Sequence, residues 1–407
     1  MFASAAATPH RPRETNLSRV LNLLHRSGSL SRAEIARETG LSASTVSALV
    51  SRLLANGFAH ESGPGESSGG RPPILVQFNY DARYLIGVDI GATHLTIVLM
   101  DMGGRVTAHA QRVYAVAADP SGTTTMVLKL ITEILEEGQQ TLTTVLGMGV
   151  AVPAPLAGEG LDRLSGIILP AWAGYDLRSA LQATLPLPIY VDNDANAGAI
   201  AERWWGHGKE SANLAYIKLG TGVGGGLIIA GEIHRGDGGT AGEIGHTPID
   251  PEGPRCRCGK QGCLESYLGA PALVREVARL RRARGADALA AQPVTTVSSL
   301  VAAARAGDFV CQQVIVQAGG YLGLALANLL NLLNPGLIVL GGDLTGAGAP
   351  FLEAVQRNIV RQAMPKAAQE ARILFSELGN DVIAIGAATL ALQQAFHPMA
   401  LALTLPD

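Results

Sequence analysis

Three of the four cysteines in this 407-residue chain, Cys256, Cys258 and Cys263, fall close together, and His246 lies just ahead of them in the stretch EIGHTPIDPEGPRCRCGKQGCLE from Glu243 to Glu265. One imidazole and three thiols make a soft four-ligand set that suits tetrahedral Zn²⁺ and leaves no position for bound water. The expected chemistry is therefore structural. An ion there would lock a Gly- and Pro-rich loop and so fix Glu243, His246 and Glu265 for another task. The alternative, three incidental thiols, is hard to square with C-x-C-x4-C spacing in a chain this poor in cysteine. Cys311 stands apart in an apolar stretch and is expected in the core.

Two further stretches could hold phosphate. Tyr84 to Asp101 reads as a strand, a Gly-containing turn and a second strand. Backbone N–H groups at Gly91 and Thr93 can face a phosphate there, and Asp89 can face its Mg²⁺. Ala215 to Ala230, AYIKLGTGVGGGLIIA, repeats the arrangement, with Thr221, Gly222 and Gly224 at or beside its turn. Each turn alone could be a plain tight hairpin. Between them, VDNDANAGAIAE (Val191 to Glu202) reads as a strand end running into a helix. Polar groups at such a switch lie where ligands bind in open α/β sheets, and Asp194 there could accept the proton of an attacking hydroxyl. The competing reading is that Asp192 or Asp194 merely caps the helix.

These groups need a scaffold of two α/β halves with a cleft between them, and the composition allows one. The chain is 47% hydrophobic and 16% charged with 49 glycines, as expected of a globular protein with two or three domains and many tight turns. No charged start followed by an apolar run and a cleavage site opens the chain, and zinc thiolates need reducing conditions, so a cytoplasmic protein is expected. The most apolar stretch, Tyr321 to Leu340, contains Asn328, Asn331, Asn334 and Pro335, which would be costly in lipid. It is expected to be a buried helix followed by a strand, and no membrane partner is expected.

The front of the chain differs in charge. Residues 1–60 carry +4, leaving −7 for the remainder. After a polar start (1–14), expected to be disordered, Leu17, Val20, Leu21 and Leu24 mark one face of a first helix. Ser31 and Glu34 form a capping box opening a second, Thr39-Gly40-Leu41 is a turn, and Ser42 caps a third that buries Val46, Leu49, Val50 and Leu53. FAHE and ILVQF flank GPGESSGGRPP as a two-stranded wing. Residues 15–80 thus read as a winged helix-turn-helix. Ser31, Arg32, Ser42, Ser44, Thr45, Ser47, Arg52 and Arg71 are placed to meet double-stranded DNA. A small three-helix domain that binds protein is the competing reading.

Taken together, the head ending in GGRPP, DIGAT, NDANAGAIAE, LGTGVGGG, and EIGH followed by CRCGKQGCLE resemble the ROK family of repressors, open reading frames and sugar kinases. The resemblance covers nearly the whole chain and is nearest to the family's helix-turn-helix regulators responding to xylose, glucose or N-acetylglucosamine. It implies an α/β, two-lobed actin-like, sugar-kinase-like ATPase-type fold with a structural zinc. Lobe one would span 82–195 and lobe two 196–400, with the last helix able to return to lobe one. It further implies that Asn193, Asp194, Glu243, His246 and Glu265 hold a sugar, that Asp194 is the base in a kinase, and that Gly341 and Gly342 lie beside adenosine. His246 would then ligate zinc with one ring nitrogen and face the sugar with the other. Against the family's D-x-G-G-T-K, this chain has Ala92 and His94; Pro153-Ala154-Pro155-Leu156 and Ile168 also depart from the sugar-loop pattern. The expected function is a sugar-responsive repressor binding an operator as a homodimer or homotetramer. The alternative is an ATP- and Mg²⁺-dependent sugar kinase with a regulatory head.

Overall fold

The computed structural model describes residues 15–65, 72–154, 156–157, 163–164, 169–284 and 292–396. The expectations for residues 1–14, Arg71, Pro155 and Ile168 fall outside the described residues. In the head, helix α1 (Asn16–Ser27) buries Leu17, Val20, Leu21 and Leu24, the face set by its apolar spacing. Helix α2 (Arg32–Thr39) opens on a complete capping box. The Glu34 N–H donates to the Ser31 hydroxyl at 3.2 Å, and the Ser31 N–H returns to the Glu34 carboxylate at 2.8 Å. Gly40, in the left-handed region at φ 68°, turns the chain into α3 (Ala43–Ala55), which buries Val46, Val50 and Leu53 and half-buries Leu49.

A strand the sequence reading lacked, β1 (Ser29–Ser31), joins β2 (Ala59–Pro64) and β3 (Ile74–Phe78) in a three-stranded sheet with β3 in the centre. At three residues β1 is too short to show an alternating pattern.

The body consists of two sheets of the same design. In the first, β4 (Tyr84–Ile90), β5 (His94–Asp101) and β6 (Val106–Val113) run antiparallel. After helix α4 (Pro120–Glu137), β7 (Val145–Val152) adds parallel to β4. A two-stranded ribbon, β8 (Leu156–Ala157) with β9 (Arg163–Leu164), and helix α5 (Leu177–Gln182) precede β10 (Ile189–Asn193), which adds parallel to β7.

Helix α6 (Asp194–Trp204) leads to the second sheet. There β11 (Leu214–Leu219), β12 (Val223–Ile229) and β13 (Glu232–Ile233) form the antiparallel part, and β14 (Leu337–Gly341) and β15 (Arg372–Phe375) the parallel part. The orders β6-β5-β4-β7-β10 and β13-β12-β11-β14-β15 are therefore the same path drawn twice. Each candidate phosphate turn joins the first two strands of its sheet, as the repeated hairpin motif implied.

The helix expected from Tyr321 starts earlier, spanning Phe309–Leu333, and its burial is one-sided. Leu322, Leu326 and Leu330 are buried, while Phe309, Val316 and Leu332 are exposed. Its length and composition would suffice to cross a membrane, but its buried face forms the second lobe's core with helix Ala349–Gln362. Cys311 lies in that core, as expected. The last helix, Val382–Ala395, returns to the first sheet. Gly87 and Gly149 admit it: a Cβ on either would lie within 2 Å of the Ala384 or Ala387 carbonyl. The range expected for lobe two, 196–400, thus ends in a helix that belongs with lobe one's packing.

Candidate functional site

A cleft of about 710 Å³ opens between the two sheets. It brings together Asp89, Thr93, His94, Asn193, Asp194, Lys218, Thr221, Gly222, Gly224, Glu243, His246, Arg257, Glu265 and Gly342. Of the expected nucleotide-site residues, Gly91 and Gly341 do not line it. Gly91 is covered by the His94 ring, 2.3 Å from where its Cβ would be, and Gly341 packs on the Tyr216 hydroxyl. Gly342 has φ 101°, and a Cβ there would meet the Leu219 carbonyl at 2.1 Å, so glycine is required by the turn itself.

Helix α6 is capped by neither aspartate. Its cap is Asn193, whose side-chain oxygen accepts from the Ala195 N–H at 2.9 Å and the Asn196 N–H at 3.3 Å. Asp192 instead accepts from the Asn193 N–H at 2.7 Å and the Asn196 amide at 2.9 Å, and it is ion-paired to Arg235. Asp194 is thereby left in the first turn, nearly buried, facing the cleft.

On the far side the zinc-type loop supplies the walls. His246 Nδ1 lies 3.6 Å from Cys256 Sγ, Cys258 Sγ lies 3.7 Å from Cys263 Sγ, and all four donor atoms fall within 4.8 Å of one another. A tetrahedral Zn²⁺ at ordinary bond lengths would separate its ligand atoms by about 3.5–3.8 Å, so the donor set fits. The other ring nitrogen, Nε2, lies 3.8 Å from a Glu243 carboxylate oxygen, so one nitrogen faces the thiols and the other a carboxylate lining the cleft. Burial lowers the His246 pKa, a shift toward the neutral ring that a metal ligand needs. Burial first, then the Asp194 and Glu265 charges, raises the Glu243 pKa.

Two cations were missed by sequence reasoning. Arg257, between the first two cysteines of the loop, grips Glu265 through two hydrogen bonds of 2.7 and 3.0 Å, while the same carboxylate accepts the Val223 N–H at 3.1 Å. Lys218, two residues before the second turn, is ion-paired to Asp194. Neither obeys a motif spacing. The signal was electrostatic: Asp89, Asp194, Glu243 and Glu265 cannot share one partly buried cleft without nearby positive charge. Asp89 itself faces His94 Nε2 at 3.4 Å, and its other carboxylate oxygen is buried without a hydrogen-bond partner.

The ROK family profile matches residues 85–394, and a winged helix-turn-helix DNA-binding profile matches 13–58. The chain belongs to the ROK family. A xylose repressor of Caldicellulosiruptor bescii is 32% identical over 364 residues, covering 88% of this chain and 90% of the relative. A glucokinase of Halalkalibacterium halodurans is 33% identical over 321 residues, covering 77% of this chain and 96% of the relative. The solved structure of a ROK family transcriptional regulator, a homologue of the E. coli MLC protein, superposes with a TM-score of 0.80 at 28% identity. It covers 96% of this chain and 98% of that one. The repressor and the regulator thus span head and body together, whereas the glucokinase match covers a smaller share of this chain.

Among the expected DNA contacts, Ser42, Ser44 and Ser47 are exposed on or beside α3, and Thr45 and Arg52 are half-buried. Ser31 is different. It is 4% exposed and its hydroxyl is the cap of α2, so it has no surface to offer DNA. Arg32 is ion-paired with Glu61 of the wing at 3.0 Å, an arrangement that braces the wing against α2.

Proposed function

We propose that this ROK protein is a sugar-responsive transcriptional repressor of carbohydrate genes, acting in the cytoplasm as a homodimer or homotetramer. In this reading α3 reads operator DNA, and a sugar of the xylose, glucose or N-acetylglucosamine type binds in the cleft. Asn193, Asp194, Glu243, His246 and Glu265 receive its hydroxyls, and Zn²⁺ on His246, Cys256, Cys258 and Cys263 holds the wall in shape. The observation that carries the reading is the continuity of the chain from cleft to head. Helix α6 starts at the cleft with Asn193 and Asp194 and ends at Trp204 and Trp205, whose rings lie 5.9 and 6.3 Å from His25 of the head helix α1. A ligand that closes the cleft therefore acts on an element that touches the head, and it shifts the DNA equilibrium by its differential affinity for the two arrangements.

The test begins with a duplex selected from random DNA by the purified protein. Fluorescence anisotropy on that duplex should show a loss of affinity of roughly tenfold or more when one of the three sugars is added, within the usual range of allosteric coupling. Operator affinity that stays the same across the panel would overturn the reading. A second reading, a sugar kinase with a regulatory head, is favoured by Asp194 in the first turn of α6 and by the intact LGTGVGGG turn. Sugar-dependent ADP formation with Mg²⁺ would support it.

A further inference from the structure

The alternation of β11 sends Ile217 and Leu219 into the second lobe's core and Tyr216 and Lys218 to the opposite face. On that face Tyr216 packs against Gly198 of α6, so the next residue on the same side, Lys218, is aimed at the first turn of α6. There it meets Asp194. Its side chain is 22% exposed and that of Asp194 7%, which makes the contact a largely dry ion pair rather than a surface one. Burial works to lower the Lys218 pKa, but Asp194 and Asp89 overcome it and hold the ammonium above the usual lysine value.

We propose that Lys218 is a resident cation in the phosphoryl-transfer region of the cleft, and that it makes the cleft a sugar pocket needing neither a divalent ion nor a nucleotide. A divalent cation bridging nucleotide phosphates needs carboxylate oxygens and water around an open position. Here one Asp194 oxygen already accepts an N–H from the ammonium, and His94 lies across Asp89 and the first turn. Each aspartate keeps one oxygen free of these partners, but a divalent ion taking them would sit beside the ammonium and would have to oppose its charge. The ammonium neutralises part of the acid cluster without it, and the sugar wall formed by Glu243, His246 and Glu265 is left intact. One side chain thus separates binding from turnover. The inference rests on the reading of the cleft as a sugar site but not on the DNA-binding role of the head.

The test uses the full-length, zinc-loaded chain. Mn²⁺ with a non-hydrolysable ATP analogue is titrated into wild type, Lys218→Thr, Lys218→Gln and Lys218→Arg, and free Mn²⁺ is counted by its EPR signal. Removing the buried positive charge should tighten Mn²⁺-nucleotide binding by roughly tenfold or more in the Thr and Gln variants. Lys218→Arg should behave as wild type. Wild-type protein that binds the Mn²⁺-nucleotide as tightly as the neutral variants would overturn the proposal, and that result needs no variant to be stable beyond one of the two. Equal weakness in wild type and a folded neutral variant would overturn it too. Thermal shifts of wild type with xylose, glucose and N-acetylglucosamine are run alongside. Their failure would remove the sugar-site reading, which the Mn²⁺ titration does not address.

Discussion

At the scale of single residues, the loop from Glu243 to Glu265 sets a cluster of four metal-type donor atoms directly behind one wall of the cleft. Its side chains face two ways: the thiols and His246 Nδ1 inward on one another, and His246 Nε2, Glu243 and Arg257 toward the cleft. Cys258→Ser should therefore release the metal and cost more than a surface substitution. With folding and metal binding coupled in such loops, a fall in melting temperature of about 5 °C or more is expected, together with a loss of sugar affinity. Metal analysis and calorimetry on the same samples check this, and a variant that keeps one metal per chain and its wild-type midpoint would contradict it. The four donor residues that the fold brings within 4.8 Å of one another were legible in the sequence because ligand chemistry restricts residue type and spacing at once. Lys218 and Arg257 were not. A long cation reaches its partner through space, from β11 to the start of α6 in one case, and no local spacing records that meeting.

Elements were legible where their ends carry side-chain chemistry. The Ser31–Glu34 box and the Ser42 cap appear where the sequence put them, since a cap is a local bargain between a short polar side chain and nearby N–H groups. At α6 the competing reading, a cap at Asp192 or Asp194, is the one that fails, and Asn193 takes the role among four polar neighbours, Asp192 to Asp194 and Asn196. Which of them caps depends on Arg235 and Lys218, which hold the two aspartates elsewhere. Asn193→Ala should then cost about 1 kcal/mol of stability through the lost cap. It should also weaken sugar binding by loosening the turn that carries Asp194. Denaturant unfolding and calorimetric titration with the sugar found by the thermal screen would show both, and unchanged values in both would count against the assignment. For α3 the element-level expectation concerns charge. Ser44→Glu and Ser47→Glu place carboxylates on an exposed face read as DNA-facing, so affinity for the selected duplex should fall by roughly tenfold or more through repulsion from phosphate. Sugar affinity should not move, and a pair of variants that still bind DNA normally would show that α3 faces something else.

For the whole molecule, the duplication of the body was visible as two Gly-rich hairpins in one chain, but the joint between head and body was not. That joint is a cluster around His25, with Phe78, Tyr80, Phe396, Trp204 and Trp205 rings 5.0 to 6.3 Å from it. His25 Nε2 also lies 2.7 Å from the Met102 carbonyl, and the Tyr80 hydroxyl donates to the His25 carbonyl at 2.8 Å. Its members come from five separate parts of the sequence, so neither periodicity nor motif could assemble it.

Two helices reach this joint from the cleft: α6 through Trp204 and Trp205, and the last helix, Val382–Ala395, through Phe396 at its end. They are tied together where Trp205 Nε1 donates to the Thr389 hydroxyl at 2.7 Å. Trp205→Phe keeps most of the packing and removes that hydrogen bond. It should leave sugar affinity within about twofold while reducing the sugar-induced change in DNA affinity, because coupling of this size is carried by packed contacts between the two sites.

Acid should act on the same joint. Burial first, and the Arg26 charge after it, lower the His25 pKa against the opposing pull of the Met102 carbonyl. The docked state therefore prefers the neutral ring, and the undocked state takes up a proton more readily. Docking stability is present above the ordinary histidine pKa and is lost as pH falls below it. Proteolysis between head and body should consequently accelerate as pH drops from about 7 to 5.5, near the unperturbed histidine value. His25→Phe, which fills the site without a titrating group, should flatten that dependence. If the wild-type cleavage rate instead stays level across this interval, protonation of His25 does not control the joint, and the coupling must be sought in the α6 contacts alone.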